Sequence, residues 1–255
     1  MRLTFRLFWI HGKATAKCAC RRRDFAANQE PISVIAVAPP RALIESRLTA
    51  VPLTQGMELY RAARPTYAYF LTSGVASVVV DMSDGATAEV RMVGREGIVG
   101  VMHLLGHTVS PANCFVQMEG TALRISMNDL QALFHDSEEI REAVLQVVQK
   151  EVMVLSQIAG CHRLHSAEQR LARWLLMAQD QTRTDDLHFT QALLANMLGS
   201  RRATVTDTAG SLQDRKLIQY HRGLVTIVNR AGLEIAACPC YQVIKELRGD
   251  VYNME

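Results

Sequence analysis

The side chains best suited to recognition chemistry gather between Thr190 and Arg222. Arg201 and Arg202 follow Gly199-Ser200, and Ala203, Thr204, Thr206 and Asp207 come next. If these residues open a helix, its first turn carries two guanidinium groups, which can reach guanine O6 and N7 or a backbone phosphate. Asp207 can accept from cytosine N4. Ala203 and Gly210 are small enough to let a helix backbone approach a groove floor. Covalent catalysis finds no comparable set. The chain has no nucleophile elbow with Ser-His-Asp partners, no GxxxxGK phosphate loop and no HExxH pair, so no enzyme activity is expected.

Elements that would position these residues can be read around them. Thr190 can cap a short helix whose apolar positions Leu193, Leu194, Met197 and Leu198 face one side. Gly199 tolerates the left-handed backbone that ends a helix. Ser200 can cap a second helix, with Val205, Ala209 and Leu212 at i, i+4 and i+7 as its buried stripe. Leu217 to Tyr220 and Leu224 to Val228 then read as two strands around the turn His221-Arg222-Gly223. Helix, glycine turn, polar helix and wing in this order predict a winged helix-turn-helix that reads DNA, with Arg222 at the wing tip on a phosphate. The competing reading is a winged helix used only for protein contacts, its polar face merely solvated.

The runs SAEQRLARWLLM (166–177), FTQ with LANMLGSRR and VT (189–206), LIQYHRGLVTI (217–227) and RAGLEIAACPCY (230–241) resemble bacterial Crp/Fnr-type transcription regulators. The resemblance extends over residues 40–241 and is most specific in the C-terminal third. It implies an α+β fold: an N-terminal β-roll of the cyclic-nucleotide-binding kind, a long dimerisation helix and a C-terminal winged helix-turn-helix. It also implies a homodimer on a pseudo-palindromic operator in double-stranded DNA, with RNA polymerase as a partner if the protein activates. Arg202 falls on a base-contacting arginine of the family. A glutamate and a second arginine that read bases in the cyclic-AMP receptor subgroup are Ala203 and Asp207 here, so the operator sequence does not follow from the resemblance.

At 255 residues the chain can hold two modest domains. We place a mobile basic arm at 1–35, the roll sensor at 36–136, the dimerisation helix at 137–161 and the DNA-binding domain at 162–255. Residues 1–35 carry seven Lys/Arg against two Asp/Glu, residues 162–255 twelve against ten, and the stretch between them nine against thirteen. A weakly positive reader below an acidic sensor fits DNA binding that is not mainly bulk charge. No run approaches the ~20 apolar residues of a membrane span. Arg6 interrupts the apolar stretch at Phe5 to Ile10, short of the ~7–15 residues of a signal peptide, and a cytoplasmic protein is expected. The arm is equally explained by a start codon assigned too early.

From Val51 to Ile125 short β-rich runs recur (VPL, YAYFL, VASVVV, AEVRMV, CFVQ, ALRIS) with glycines between them, and Asp84-Gly85 signals a hairpin. This pattern predicts a compact roll. Ser137 then opens a helix with Glu138 and Glu139 in its first turn, where the dipole favours them. Its apolar band is wider than a coiled-coil seam, so one edge would lie on the roll and the other on a second copy. Ile140, Val144, Val148, Val152, Leu155 and Ala159 are the expected dimer face. The alternative is one buried helix of a monomer.

For the sensor pocket, the resemblance points to Gly97, Ile98, Val99, Gly100 and Val101, with Ser110 and Asn113 across from them. In nucleotide-binding members a glutamate after the glycine turn holds the ribose, and an arginine-serine pair grips the phosphate. Here Val101 or Met102 stands at the glutamate position, and Val101 to Leu123 contains no Lys or Arg. A buried phosphate would lack a guanidinium partner unless one such as Arg124 came from elsewhere. The signal is therefore expected not to be a cyclic nucleotide.

The six cysteines read as thiols of a reducing compartment. Cys18-Ala-Cys20, Cys161-His162 with His165, and Cys238-Pro-Cys240 each fall short of a four-ligand set along the chain, and no cofactor or metal is expected. His103 and His107 are not read as haem ligands. A cysteine-based redox or metal switch through Cys18, Cys20, Cys114 or Cys161, with DNA binding as its output, is the alternative function.

Overall fold

Residues rich in Val, Ile, Tyr and Phe build two four-stranded antiparallel sheets in the N-terminal half of the computed structural model. It describes residues 44–249 apart from 84, 107–109, 190, 200 and 201. The basic arm, with Cys18 and Cys20, lies outside the described residues, as do Thr190, Ser200 and Arg201. One sheet runs in the order β1 (Thr49–Leu53), β8 (Gly120–Ser126), β3 (Tyr67–Leu71) and β6 (Ile98–Val99). The other runs β2 (Glu58–Arg61), β7 (Ala112–Met118), β4 (Val75–Asp81) and β5 (Thr87–Val93).

The six strands expected from sequence are present, and β4 pairs with β5 as the hairpin signal requires. β2 and β6 are additions. Glu58–Arg61 and Ile98–Val99 are too short, and in β2 too polar, to show a period-two pattern. Between the sheets lie Leu53, Tyr69, Leu71, Val78, Val93, Val99, Cys114 and Val116, all buried. At Gly100 the backbone turns with φ 90°, and a Cβ there would press on Met127 and Pro65. The left-handed turn and the tight packing both select glycine.

A helix not foreseen in the sequence follows the roll: α1, Met127–Asp136, capped by the Ser126 hydroxyl accepting from Asp129 N–H. Then α2 runs Glu138–Leu164, 27 residues or roughly 40 Å, with Ser137 Oγ accepting from Ile140 N–H as its cap. Ile140, Val144, Val147 and Val148 pack with Phe70, Ile98, Leu130 and Leu133 into one core that joins α1 and α2 to the roll.

The C-terminal part consists of α3 (Ala167–Thr182), β9 (Asp186–His188), α4 (Gln191–Leu198), α5 (Arg202–Asp214), β10 (Ile218–His221), β11 (Leu224–Ile227), α6 (Arg230–Ala236) and α7 (Cys240–Arg248). Ser166 and Gln169 close a capping box on α3. Val205, Ala209 and Leu212 are the buried stripe of α5, meeting Leu171, Leu175, Leu194 and Leu198 in the core. Burying each such Leu or Val contributes about 1.5–3 kcal/mol. The wing has a third strand: β9 pairs with β11, and Asp186 accepts from the Thr226 hydroxyl at 2.6 Å. In sequence, Asp185-Asp186 suggests no more than a solvated turn.

Candidate functional site

Gly199 has φ 55° directly after α4, the left-handed helix end that its residue type predicts. Arg202 begins α5. Ala203, Thr206 and Asp207 are exposed on that helix, Thr204 is half-buried, and Gly210 lies one turn on. Thr208 is turned inward instead, its hydroxyl donating to the Thr204 carbonyl at 2.6 Å. The wing turns through Arg222 and Gly223, both at positive φ (47° and 86°), the geometry of a two-residue hairpin loop. His221 belongs to β10 rather than to the turn, and Arg222 is exposed at the tip. Of the residues expected to meet DNA, Ala203, Thr206 and Asp207 are therefore exposed on α5, and Arg222 is exposed at the wing tip.

The roll contains a cavity of about 160 Å³ whose lining includes Tyr60, Val78, Arg91, Gly100, Val101, His103, Ser110 and Leu155. Of the expected pocket residues, Gly100, Val101 and Ser110 line it. Ile98 and Val99 point into the cores of the roll, and a Cβ on Gly97 would meet Glu151. Asn113 donates to Asp81 at 2.7 Å and does not line the cavity. Its strand alternation sends it to the other side of β7.

A cation does lie in this cavity, supplied from outside Val101–Leu123, the stretch that holds no Lys or Arg. Arg91 comes from β5 and is 6% exposed; its guanidinium reaches Glu151 of α2 at 3.6 Å and donates to the Ile98 carbonyl at 3.2 Å. Arg124 instead stacks on Tyr67, 4.3 Å from the ring centre. His103 is buried edge-on to Tyr60, and burial lowers its pKa.

The long helix divides its apolar band between two surroundings. Ile140, Val144 and Val148, expected in a dimer face, are buried in the chain's own core, because the roll takes that side of the helix. Leu155 is half-buried against the cavity. Val152 and Ala159 are exposed, and so is Leu145, seven residues before Val152, which is absent from the face expected from sequence. Leu145, Val152 and Ala159 share one heptad position on the outer face of α2.

Buried polar groups connect the reading domain to the roll. Glu96, at the turn before β6, accepts from Arg248 at 3.2 Å with both side chains at most 5% exposed, and also from Gln181. Arg248 donates further to the Met92 carbonyl at 2.9 Å. Glu96 thus pairs with a residue more than 150 positions away along the chain.

The cysteine clusters also meet. Cys161, His165, Cys238 and Cys240 place their donor atoms within 4.8 Å of one another. Each cluster alone looks incomplete in sequence; only the packing of α7 on α2 completes the set. Cys114 stands apart in the roll core, its thiol pushed up to about 12 by burial.

Roll, long helix and winged helix-turn-helix in this order define a two-domain DNA-binding regulator. Residues 50–137 match the cyclic nucleotide-binding domain, and residues 169–235 match the Crp-like helix-turn-helix domain. Together the two matches take in more than half of the chain, which belongs to the Crp/Fnr family of transcription regulators. Among solved structures it is similar to TTHA1359 of Thermus thermophilus, a transcriptional regulator of that family (19% identity, TM-score 0.62, covering 74% of this chain and 98% of that one). FixK2 from Bradyrhizobium japonicum is similar at 14% identity and TM-score 0.62, over 75% of this chain and 98% of its own. So is CLP of Xanthomonas campestris, described as a c-di-GMP responsive global regulator, at 18% identity and TM-score 0.60, over 73% and 98%. No curated protein matches in sequence. Among the described residues no helix is long and apolar enough to cross a membrane.

Proposed function

We propose that the protein is a homodimeric, site-specific transcription regulator whose roll senses a signal other than a cyclic nucleotide. The observation that carries the DNA-reading part is the exposed face Ala203, Thr206 and Asp207 on α5, following Arg202 at the helix start, together with Arg222 exposed at the wing tip. Arg202 and Asp207 read base edges; Thr190, Ser200, Arg201 and Thr204 hold phosphates from the two helix starts; Arg222 adds a backbone contact.

The dimer is supported by the exposed heptad position Leu145, Val152, Ala159 along α2, which would otherwise leave apolar side chains in water. A two-fold axis along that helix would bring two copies of α5 to successive major grooves. The cavity supports a small neutral or apolar signal. At about 160 Å³ it is below the ~300 Å³ at which ordinary ligand pockets begin, and its guanidinium is already opposed by Glu151. RNA polymerase is a partner if the bound sites lie upstream of activated promoters.

Genome-wide mapping of bound sites followed by footprinting tests the reading. A pseudo-palindrome with half-sites about 10–10.5 base pairs apart, or a multiple, is the expected result. Protection of single half-sites, or no specific sites at all, would overturn it.

A further inference from the structure

Four donor side chains from two distant stretches converge where α2 ends. Cys161 lies in the last turn of α2, and His165 is the residue that caps it. Cys238 precedes α7, and Cys240 is its first residue. Cys161 Sγ is 3.4 Å from Cys238 Sγ, and Cys240 Sγ is 3.5 Å from His165 Nδ1. With all four donor atoms inside 4.8 Å, the set is close to one ion's coordination sphere. Zinc–sulfur bonds of about 2.3 Å and a zinc–nitrogen bond of about 2.0–2.1 Å put tetrahedral donors roughly 3.6–3.8 Å apart. The two measured pairs fall within a few tenths of an ångström of that spacing.

The surroundings suit an anionic centre. Arg173 is 4% exposed, its Nη1 reaches only the Met177 sulfur at 3.2 Å, and its Nε has no hydrogen-bond partner. Among the described residues no carboxylate lies within ion-pairing distance of it, although its field reaches the Cys161 and Cys238 thiols and, from the roll, Glu89. A buried guanidinium without an ion-pair partner is costly. Three thiolates and one imidazole around a divalent ion carry a net charge of −1, which Arg173 offsets. Gln157 Nε2 lies 3.0 Å from Cys240 Sγ and donates to it, the kind of outer hydrogen bond that supports a metal-bound thiolate. The three cysteines are at most 2% exposed, while His165 is half-buried and the most accessible of the four.

We propose that Cys161, His165, Cys238 and Cys240 bind one divalent ion of the zinc class in a closed tetrahedral site. Binding replaces three S–H bonds by three metal–sulfur bonds and adds the His165 nitrogen as fourth ligand; three protons leave to solvent, with no change of oxidation state. A closed four-ligand set is the structural rather than the catalytic type. Its place is the joint between the long helix and the reading domain, so the ion would fix the last helix to the end of α2.

Untagged full-length protein from zinc-replete cells should contain close to one zinc per chain by elemental analysis. After removal of zinc, cobalt(II) should give the intense visible absorption of a tetrahedral thiolate site. Cys238→Ser should lose the metal, and His165→Ala, half-buried at a helix end, should keep its far-UV circular dichroism and bind cobalt at least tenfold more weakly. Cys18→Ser with Cys20→Ser should keep the metal. Absence of zinc together with no cobalt spectrum would overturn the proposal. So would metal loss only in the Cys18/Cys20 variant, or iron with inorganic sulfide, whose cluster would hold the thiolates too far apart for this set.

Discussion

The indole Nε1 of Trp174, on α3, donates to Oε1 of Glu89, on β5, at 2.8 Å. Glu89 is buried and also accepts from Ser77 at 2.5 Å and from Gln117 at 3.2 Å. One carboxylate of the roll is thus held partly by the reading domain. Trp174→Phe keeps most of the ring's packing on Phe189 and removes that donor. A loss of about 1–3 kcal/mol in urea unfolding is expected, as for a buried acceptor deprived of a partner.

The same carboxylate has a pH signature. Burial raises its pKa above the ordinary value, outweighing the three hydrogen bonds that favour the charged form. Between the unfolded value, about 4.3, and the raised folded one, the native chain binds more protons than the unfolded chain. Glu89 therefore contributes a loss of stability as pH rises through that window. Glu89→Gln, which can still accept from Trp174, removes the titration. Its stability relative to the wild type should grow with pH across the window, measured as urea midpoints over a pH series; a constant difference would refute the assignment.

The proposed DNA contacts of the two arginines should differ in kind. Arg202→Ala should cost about 1–3 kcal/mol on the cognate operator and much less on random duplex. Arg222→Ala should weaken both alike and lower the salt slope by about one unit. Equal losses on both DNAs for Arg202→Ala would make it a phosphate contact.

Exposure decides the outcome of charge substitutions along α2. Val152 is 50% exposed and Leu145 45%, whereas Val148 is 9% exposed in the core. Val152→Glu or Leu145→Glu should give a folded monomer by sedimentation, with α-helical circular dichroism retained. Val148→Glu should lose the fold itself, because an unpaired carboxylate would have to enter an apolar core. Dimers that persist in both outer variants would place the interface elsewhere.

How far the sequence reveals this molecule depends on the range of the interaction. The stripe Val205, Ala209, Leu212, the Gly199 turn and the Ser137 cap are local patterns, and each recurs in the structure. The wing's third strand is three residues long and is defined by its partner β11 rather than by its own pattern. Arg91 with Glu151, Glu96 with Arg248 and the four metal-type donors pair residues 60 to more than 150 positions apart or join separate clusters. No periodicity encodes such meetings. They follow only from how α2, α3 and α7 pack on the roll and on one another.

Arg91 and Glu151 also determine what the roll cavity should refuse. A cyclic nucleotide would bring a phosphate monoanion to a guanidinium already opposed by Glu151 at 3.6 Å, with both side chains at most 7% exposed. The ligand would have to displace that carboxylate or sit beside it, and either course leaves a buried like charge uncompensated. Val101, fully buried, and Met102, the two residues at which the ribose-binding carboxylate is expected, offer no charged side chain in exchange. Calorimetry with cyclic AMP or cyclic GMP should show no binding at micromolar concentration, and neither should change operator affinity. Glu151→Gln keeps the size of the side chain and frees Arg91, so anion affinity in the cavity should rise at least tenfold. Micromolar binding by the wild type with a tenfold change in operator affinity would show that Glu151 swings away from Arg91 and that the cavity accepts the phosphate after all.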